Sequence, residues 1–297
     1  MKSIKLKSKN FLIRIWLAFL VLLATILLIL NLIAPKIPLL GFHTIIDIHK
    51  HEDRPFEASV FQSMNYFNPD MEVLLDYLVS QNYWFISAQD LYDYFLTKAQ
   101  KIPSEHIGQK PIMLSFDDGY KNVYTNLLPM LEKLENKYGR KVKVVLFVNP
   151  GTLADYQSNS SIHMTCKDLR AGLEKGFYDI QSHGLNHKKL TDLDTQDLIR
   201  EVAEAQVKLR ECTQDLDPNK TVASHLAYPY GASNKKVEEY ASKYYLSGYL
   251  YNSRIMKLGW VRNNYQIPRL SVNWKKSPSR LIQMAESSSK LTKTERR

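Results

Sequence analysis

Cysteine is nearly absent from this chain: only Cys166 and Cys212 occur in 297 residues, and no CxxC is present. A metal site built from cysteine is therefore excluded, while the pair itself fits either a disulfide outside the cytoplasm or two separate buried thiols. No Gly-rich phosphate loop, no HExxH and no G-x-S-x-G occurs, which argues against nucleotide hydrolysis, a metalloprotease of that class and a serine esterase. Charge is missing altogether from Ile15 to Ala34. At about 1.5 Å per residue, such a run matches a hydrocarbon core roughly 30 Å thick.

What is present gives that run an orientation. Lys2, Lys5, Lys7, Lys9 and Arg14 lie on its amino-terminal side without an acid, and only Lys36 follows closely. The positive-inside rule then places residues 1–14 in the cytoplasm as a basic tail, 15–34 in the membrane, and the chain from residue 35 onward outside. A cleaved signal peptide would have a shorter apolar core and a small-x-small site, whereas Ile33-Ala34-Pro35 suits cleavage poorly. An uncleaved single-pass anchor is the expectation. The net charge of +10 sits partly in this flank and partly in Lys275, Lys276, Arg280, Lys290, Lys293, Arg296 and Arg297, so attraction to anionic lipid or envelope polymer is expected and nucleic-acid binding is not.

Beyond the anchor, strand and helix patterns alternate. Leu39 to Ile48 reads as a strand carrying His43, Tyr83 to Ile86 as a short one, and Pro111 to Phe116 as a buried one. Lys141 to Val148, Phe177 to Gln181 and Thr221 to Tyr228 follow, with Ser247 to Tyr251 and Gln266 to Val272 last. Helical spacing falls between them, near Asn68, Ser87, Val123 to Tyr138, Thr165 to Glu174, Thr195 to Cys212 and Asn234 to Tyr244. Residues 286–297 are polar and lysine-rich, and are expected to be a disordered tail. Such alternation predicts an α/β fold with a parallel sheet, open or closed, whose strand carboxyl ends share one face.

Four strand ends then carry the chemistry. Asp117-Asp118-Gly119 alone reads as a strand-terminating turn. His183 and His187, spaced i, i+4, are a pair that zinc sites often use together with a carboxylate. Asn149-Pro150-Gly151 and Tyr228-Pro229-Tyr230-Gly231 complete the set. Phe116-Asp117-Asp118-Gly119, His183-x-x-x-His187 and Tyr228-Pro229-Tyr230-Gly231, in that order and each after a strand, resemble the polysaccharide deacetylase family, carbohydrate esterase family four. The resemblance runs from about His43 to Arg269. It implies a distorted (β/α) barrel of about seven strands in residues 35–285, and a divalent metal used to remove acetyl groups from N-acetylated sugars.

By that resemblance Asp118, His183 and His187 hold the metal, Asp117 is the general base, and the backbone N–H of Tyr230 stabilises the oxyanion. Zinc is the expected ion, and cobalt or nickel suits the same ligands. Gly41-Phe42-His43, Ala227-Tyr228-Pro229-Tyr230-Gly231 and Ile267-Pro268-Arg269 resemble the branch acting on poly-β-1,6-N-acetylglucosamine. Two departures stand out. Ala227 occupies the place of an arginine that orients the catalytic aspartate, and no histidine follows Arg269 where the family has its general acid. We therefore expect Arg269 to take the arginine's place beside Asp117, and His43 or a metal-bound species to donate the proton.

The remaining histidines, His49, His51, His106, His163 and His225, match no motif and read as surface or loop residues. Tyr244, Tyr245, Tyr249 and Tyr251 read as core rather than sugar-stacking positions. The sequence thus points to a membrane-anchored, extracytoplasmic N-deacetylase of an exported polysaccharide, with a polysaccharide synthase or export machinery as candidate partner. Its rivals are a deacetylase of peptidoglycan or chitin oligosaccharides and a catalytically inactive sugar-binding relative.

Overall fold

The computed structural model describes residues 2–57, 63–155 and 162–291. The chain divides into two compact units, Met1–Pro35 and Lys36–Arg297. In the first, one helix runs Lys2–Ile33. Its Arg14–Ile33 stretch, 20 residues with a mean hydropathy of 2.7, is long and apolar enough to cross a membrane.

The second unit is built on parallel strands: β1 Leu39–Phe42, β2 Trp84–Phe85, β3 Pro111–Asp117, β4 Val144–Val148, β5 Tyr178–Ser182, β6 His225–Ala227, β7 Ser247–Tyr249 and β8 Leu270–Ser271. Seven of them pair in the order β7-β6-β5-β4-β3-β1-β8, and β2 pairs with the start of β3. A parallel bridge from Tyr249 to Ile267 brings the two ends of this path together. The sheet thus curls into the distorted barrel expected for the family.

Strand alternation explains how both faces are filled. Leu40, Phe42, Leu114, Phe116, Leu146 and Ile180 point outward into a core shared with the helices Asn68–Ser80, Leu128–Tyr138 and Cys166–Glu174. Leu39, Met113, Val145, Phe147 and Tyr249 point inward and fill the barrel together with Trp84, Leu91 and Phe95. The inward parity of β3 ends on Asp117, so the sequence that fills the barrel also delivers a carboxylate to its carboxyl end.

Several boundaries differ from the sequence reading. The strand expected over Leu39 to Ile48 breaks at His43, and Thr44–Ile46 pairs instead with Asn65–Phe67. The helix expected from Val123 begins as a wide turn, Val123–Leu127, and becomes regular only at Leu128, where Pro129 is tolerated in the first turn. The tail expected from residue 286 is packed through Leu291: Ser288 and Leu291 are buried, and Leu291 N–H donates to Gln109 O at 2.9 Å. Residues 292–297 of that tail lie outside the described residues. Cys166 and Cys212 form a disulfide, which resolves the alternative the sequence left open.

Candidate active site

The carboxyl ends of β3, β5 and β6 bring the motif residues to one place. Asp117 ends β3 in extended backbone, and the chain then turns through two left-handed residues, Asp118 at φ 71° and Gly119 at φ 73°. That turn lets neighbouring carboxylates face one site rather than opposite faces of the sheet. A non-glycine residue in this region costs about 1–3 kcal/mol, a strain characteristic of functional positions. His187 at φ 56° and Tyr230 at φ 60° share it.

Asp118, His183 and His187 each offer one ligand atom, and these atoms lie within 4.8 Å of one another. Asp118 Oδ1 is 3.4 Å from His183 Nε2 and 3.2 Å from His187 Nε2. The tautomer of His183 is set by its surroundings. Its Nδ1 faces Ala227 O at 2.8 Å, and a carbonyl can only accept, so Nδ1 carries the proton and Nε2 turns a bare lone pair to the site. Burial holds His183 down to about 3, against partial opposition from Asp117, and also lowers His187. Both imidazoles are neutral at physiological pH.

This arrangement fits a divalent cation. Asp118 Oδ1 is buried with no hydrogen-bond donor, although the Tyr120 hydroxyl bonds the same carboxylate. Burial, aided by Asp117, pushes the Asp118 carboxyl up to about 6, with His43 and Tyr120 opposing. Three potential ligand atoms, one carboxylate oxygen and two imidazole nitrogens, converge there, the donor set of a three-ligand zinc site.

The loop that carries both histidines is tied down from beneath. Asn149 donates to the backbone oxygens of His183 and Gly184. The fully buried Glu201 accepts from the Asn186 backbone N–H at 2.8 Å and from its side chain at 2.9 Å. Asn149 follows β4, so that fourth strand end positions ligands rather than contributing one.

Asp117 has a different partner. Arg269 donates to it through Nη1 at 2.6 Å and Nη2 at 2.8 Å, and Nη1 also reaches Ser115 Oγ at 3.0 Å. Burial alone would raise Asp117, but the Arg269 guanidinium outweighs it and holds the carboxyl down to about 2. The guanidinium lies 4.8 Å from the Phe147 ring and 5.2 Å from that of Tyr251. Gly41 makes room here, because a Cβ on it would meet Tyr251 Cε2 at 2.6 Å.

His43, just past β1, is half-buried, and its ring meets Tyr251 edge-on at 5.2 Å. Its Nδ1 is buried without a partner among the described residues. Tyr230, 67% exposed, stands at the rim with its ring 4.7 Å from that of His187.

A family model described as Polysaccharide deacetylase matches residues 105–248. The chain carries a polysaccharide deacetylase domain. That match supports a deacetylase hydrolase. Among solved structures, it is similar to a polysaccharide deacetylase from Bacillus cereus, with 18% identity, TM-score 0.67, and 85% of this chain and 69% of that one covered. The deacetylase PplD of Streptococcus pyogenes, solved with acetate, matches at 21% identity and TM-score 0.67 over 84% of this chain and 98% of that one. A de-N-acetylase from Aggregatibacter actinomycetemcomitans matches at 16% identity and TM-score 0.60, over 84% and 99%. No curated protein matches the sequence.

Sequence reasoning missed several participants. Tyr120, Ser115 and Tyr251 support the two aspartates, and only the adjacency of Tyr120 and Ser115 to the motif hinted at them. One histidine needs correction, and a second gains a neighbour. His225 is not on the surface but fully buried on β6, bonded to Ser247 Oγ at 2.7 Å and Gln89 Oε1 at 3.1 Å. His163 stacks on Tyr120 with centroids 5.2 Å apart, one side chain away from Asp118.

Proposed function

We propose that this protein is a metal-dependent N-deacetylase, held to a membrane by Arg14–Ile33, that removes acetyl groups from N-acetylhexosamine units of an exported or cell-surface polysaccharide. One observation carries the reading: three potential ligand atoms converge on a point beside a carboxylate that an arginine keeps ionised. The deacetylase domain and the acetate held by the Streptococcus pyogenes relative accord with it, acetate being the product this reaction would release.

Asp118, His183 and His187 would hold the ion, zinc by preference and cobalt or nickel as alternatives. When bound, it would acidify water and polarise the acetyl carbonyl. Asp117, ionised and aimed by Arg269, takes a proton from the attacking water. The Tyr230 backbone N–H faces the developing oxyanion. His43, beside both aspartates, returns a proton to the nitrogen as the C–N bond breaks. Water and the amide are consumed, and acetate and a free amine leave.

A polymer that gains amines becomes cationic, and poly-β-1,6-N-acetylglucosamine is the favoured substrate on the branch resemblance at His43 and Arg269. The Cys166–Cys212 disulfide supports an extracytoplasmic catalytic unit, since such bonds persist outside the reducing cytoplasm. A synthase or export machinery for the same polymer would be the natural partner. The deciding assay measures acetate release by the zinc- or cobalt-loaded protein from poly-β-1,6-N-acetylglucosamine, chitin oligomers and peptidoglycan. Release from the first alone supports the reading. Release only from another polymer reassigns the substrate, and none from any of them, with metal bound, leaves a sugar-binding relative.

A further inference from the structure

A cleft lies at the end of the barrel opposite the candidate metal ligands. It encloses about 500 Å³ and is lined by Arg140, Lys141 and Lys143, with Trp84, Tyr94 and His106. These residues stand where β2 and β4 begin, whereas Asp117 and His183 stand where β3 and β5 end. The seven residues of β3 separate the two ends by roughly 20 Å. No step of the proposed reaction uses this cleft.

Its chemistry favours an anion beside apolar surface. Trp84 and His106 stack with centroids 4.0 Å apart and planes 7° from parallel. Asp90 is the acid among the lining residues, and its carboxylate is already engaged by the Ser87 N–H in a capping box. Arg140 spends one donor on Val79 O. Lys141 lies 3.3 Å from Glu135. Among the described residues Lys143 has no hydrogen-bond or ion-pair partner, and its charge acts on the buried Asp179. The cleft keeps a surplus of positive charge.

The covalent path identifies what lies near it. Only Ala34 and Pro35 separate the apolar segment from Lys36, a span of about 10 Å even when extended. Lys36 O accepts from Ser289 N–H, and two residues on Leu291 N–H donates to Gln109 O, a lining residue of the cleft. The chain therefore enters the catalytic unit on the cleft's side. If Arg14–Ile33 spans a bilayer, as the functional reading holds, this end of the barrel is the one within reach of lipid headgroups.

We propose that the cleft binds the phosphate headgroup of an anionic phospholipid in the leaflet from which the chain emerges. The proposal rests on the anchor reading. The test embeds the full chain in nanodiscs of phosphatidylcholine, with or without phosphatidylglycerol, and follows acetylation of single lysines by mass spectrometry. Labelling of Lys141 and Lys143 should drop with phosphatidylglycerol, by about fivefold per engaged cation, while Lys188 at the catalytic end stays unchanged. Arg140→Gln, Lys141→Gln and Lys143→Gln combined should abolish selective retention of phosphatidylglycerol in native mass spectrometry while metal retention is unchanged. Equal labelling in both discs overturns the proposal. So does equal protection by soluble glycerol phosphate, which would mark a small-anion site, or protection by an anionic polymer alone. Failure of the anchor is read separately, as release from pure phosphatidylcholine on alkaline washing.

Discussion

Arg269 and Asp117, 152 residues apart, meet edge to edge through two parallel hydrogen bonds of 2.6 and 2.8 Å. Both are buried, at 0% and 2% exposure. A buried carboxylate without such a partner would take up a proton, so this contact keeps Asp117 able to accept one from water.

Removing the guanidinium should therefore act twice. Arg269→Ala leaves a buried charge uncompensated and is expected to cost about 3–5 kcal/mol of stability. It should also lower acetate release by roughly 10²–10⁴-fold, the contribution of a positioned general base. Arg269→Lys retains a charge but not the fork, and should fall between the two. Urea denaturation and acetate release, measured on the same preparations, separate the effects, and unchanged turnover in a folded Arg269→Ala protein would refute the role assigned to Arg269.

The two adjacent aspartates should separate under mutation. Asp117→Asn preserves shape and is expected to abolish turnover while leaving metal retention intact. Asp118→Ala or His183→Ala removes a ligand, so metal content by mass spectrometry should fall together with activity. A chelator should reproduce the second phenotype in the wild type, and added zinc should reverse it. If Asp117→Asn loses metal as readily as Asp118→Ala, the division between base and ligand is wrong.

The strand ends were legible because their residues are chemically unusual where they stand. Two carboxylates closing an apolar run, and two histidines after another, conflict with simple burial and so reveal the face on which a site is built. Arg269 was reachable only through an absence, the Ala227 where the family has arginine. Tyr251 was not reachable and Ser115 was hinted at only by its adjacency to the motif, because their roles depend on how a closed sheet brings β1, β3 and the segment before β8 together. The split of Leu39 to Ile48 at His43 was hidden for a related reason. A run buried on both faces shows no period that marks where its hydrogen-bonding partner changes.

His225 shows the limit most directly, and it makes a pH-dependent expectation. Burial beside Ser247 and Gln89 holds it down to about 3, against an ordinary value of 6.5. Between those values the unfolded chain binds the extra proton, so the neutral folded form is fully favoured above pH 6.5 and loses stability as pH falls toward 3. Asp179 works in the opposite sense: burial raises it to about 6, so its folded form keeps a proton and gains as pH drops through 6. Urea midpoints of chelated wild type and His225→Gln should diverge below pH 6.5, the variant losing up to about 1.4 kcal/mol less per pH unit. Parallel pH profiles would mean that His225 does not titrate on unfolding.

The disulfide gives the last test, since it reaches the site through backbone. Cys166 opens the helix Cys166–Glu174, and just before it Met164 N–H donates to Gly119 O, within the turn that presents Asp118. Cys212 lies in the helix Thr195–Thr213, which also carries Glu201 beneath the histidine loop. Cross-linking residues 46 apart in sequence restricts the unfolded chain by about 4 kcal/mol on the chain-entropy account. Cys166→Ser with Cys212→Ser should lose much of that stability. Because the bond also joins the supports of Asp118 and of His187, the variant should bind metal more weakly under conditions where it remains fully folded by circular dichroism. A variant that loses stability yet keeps wild-type metal affinity would confine the disulfide to scaffolding.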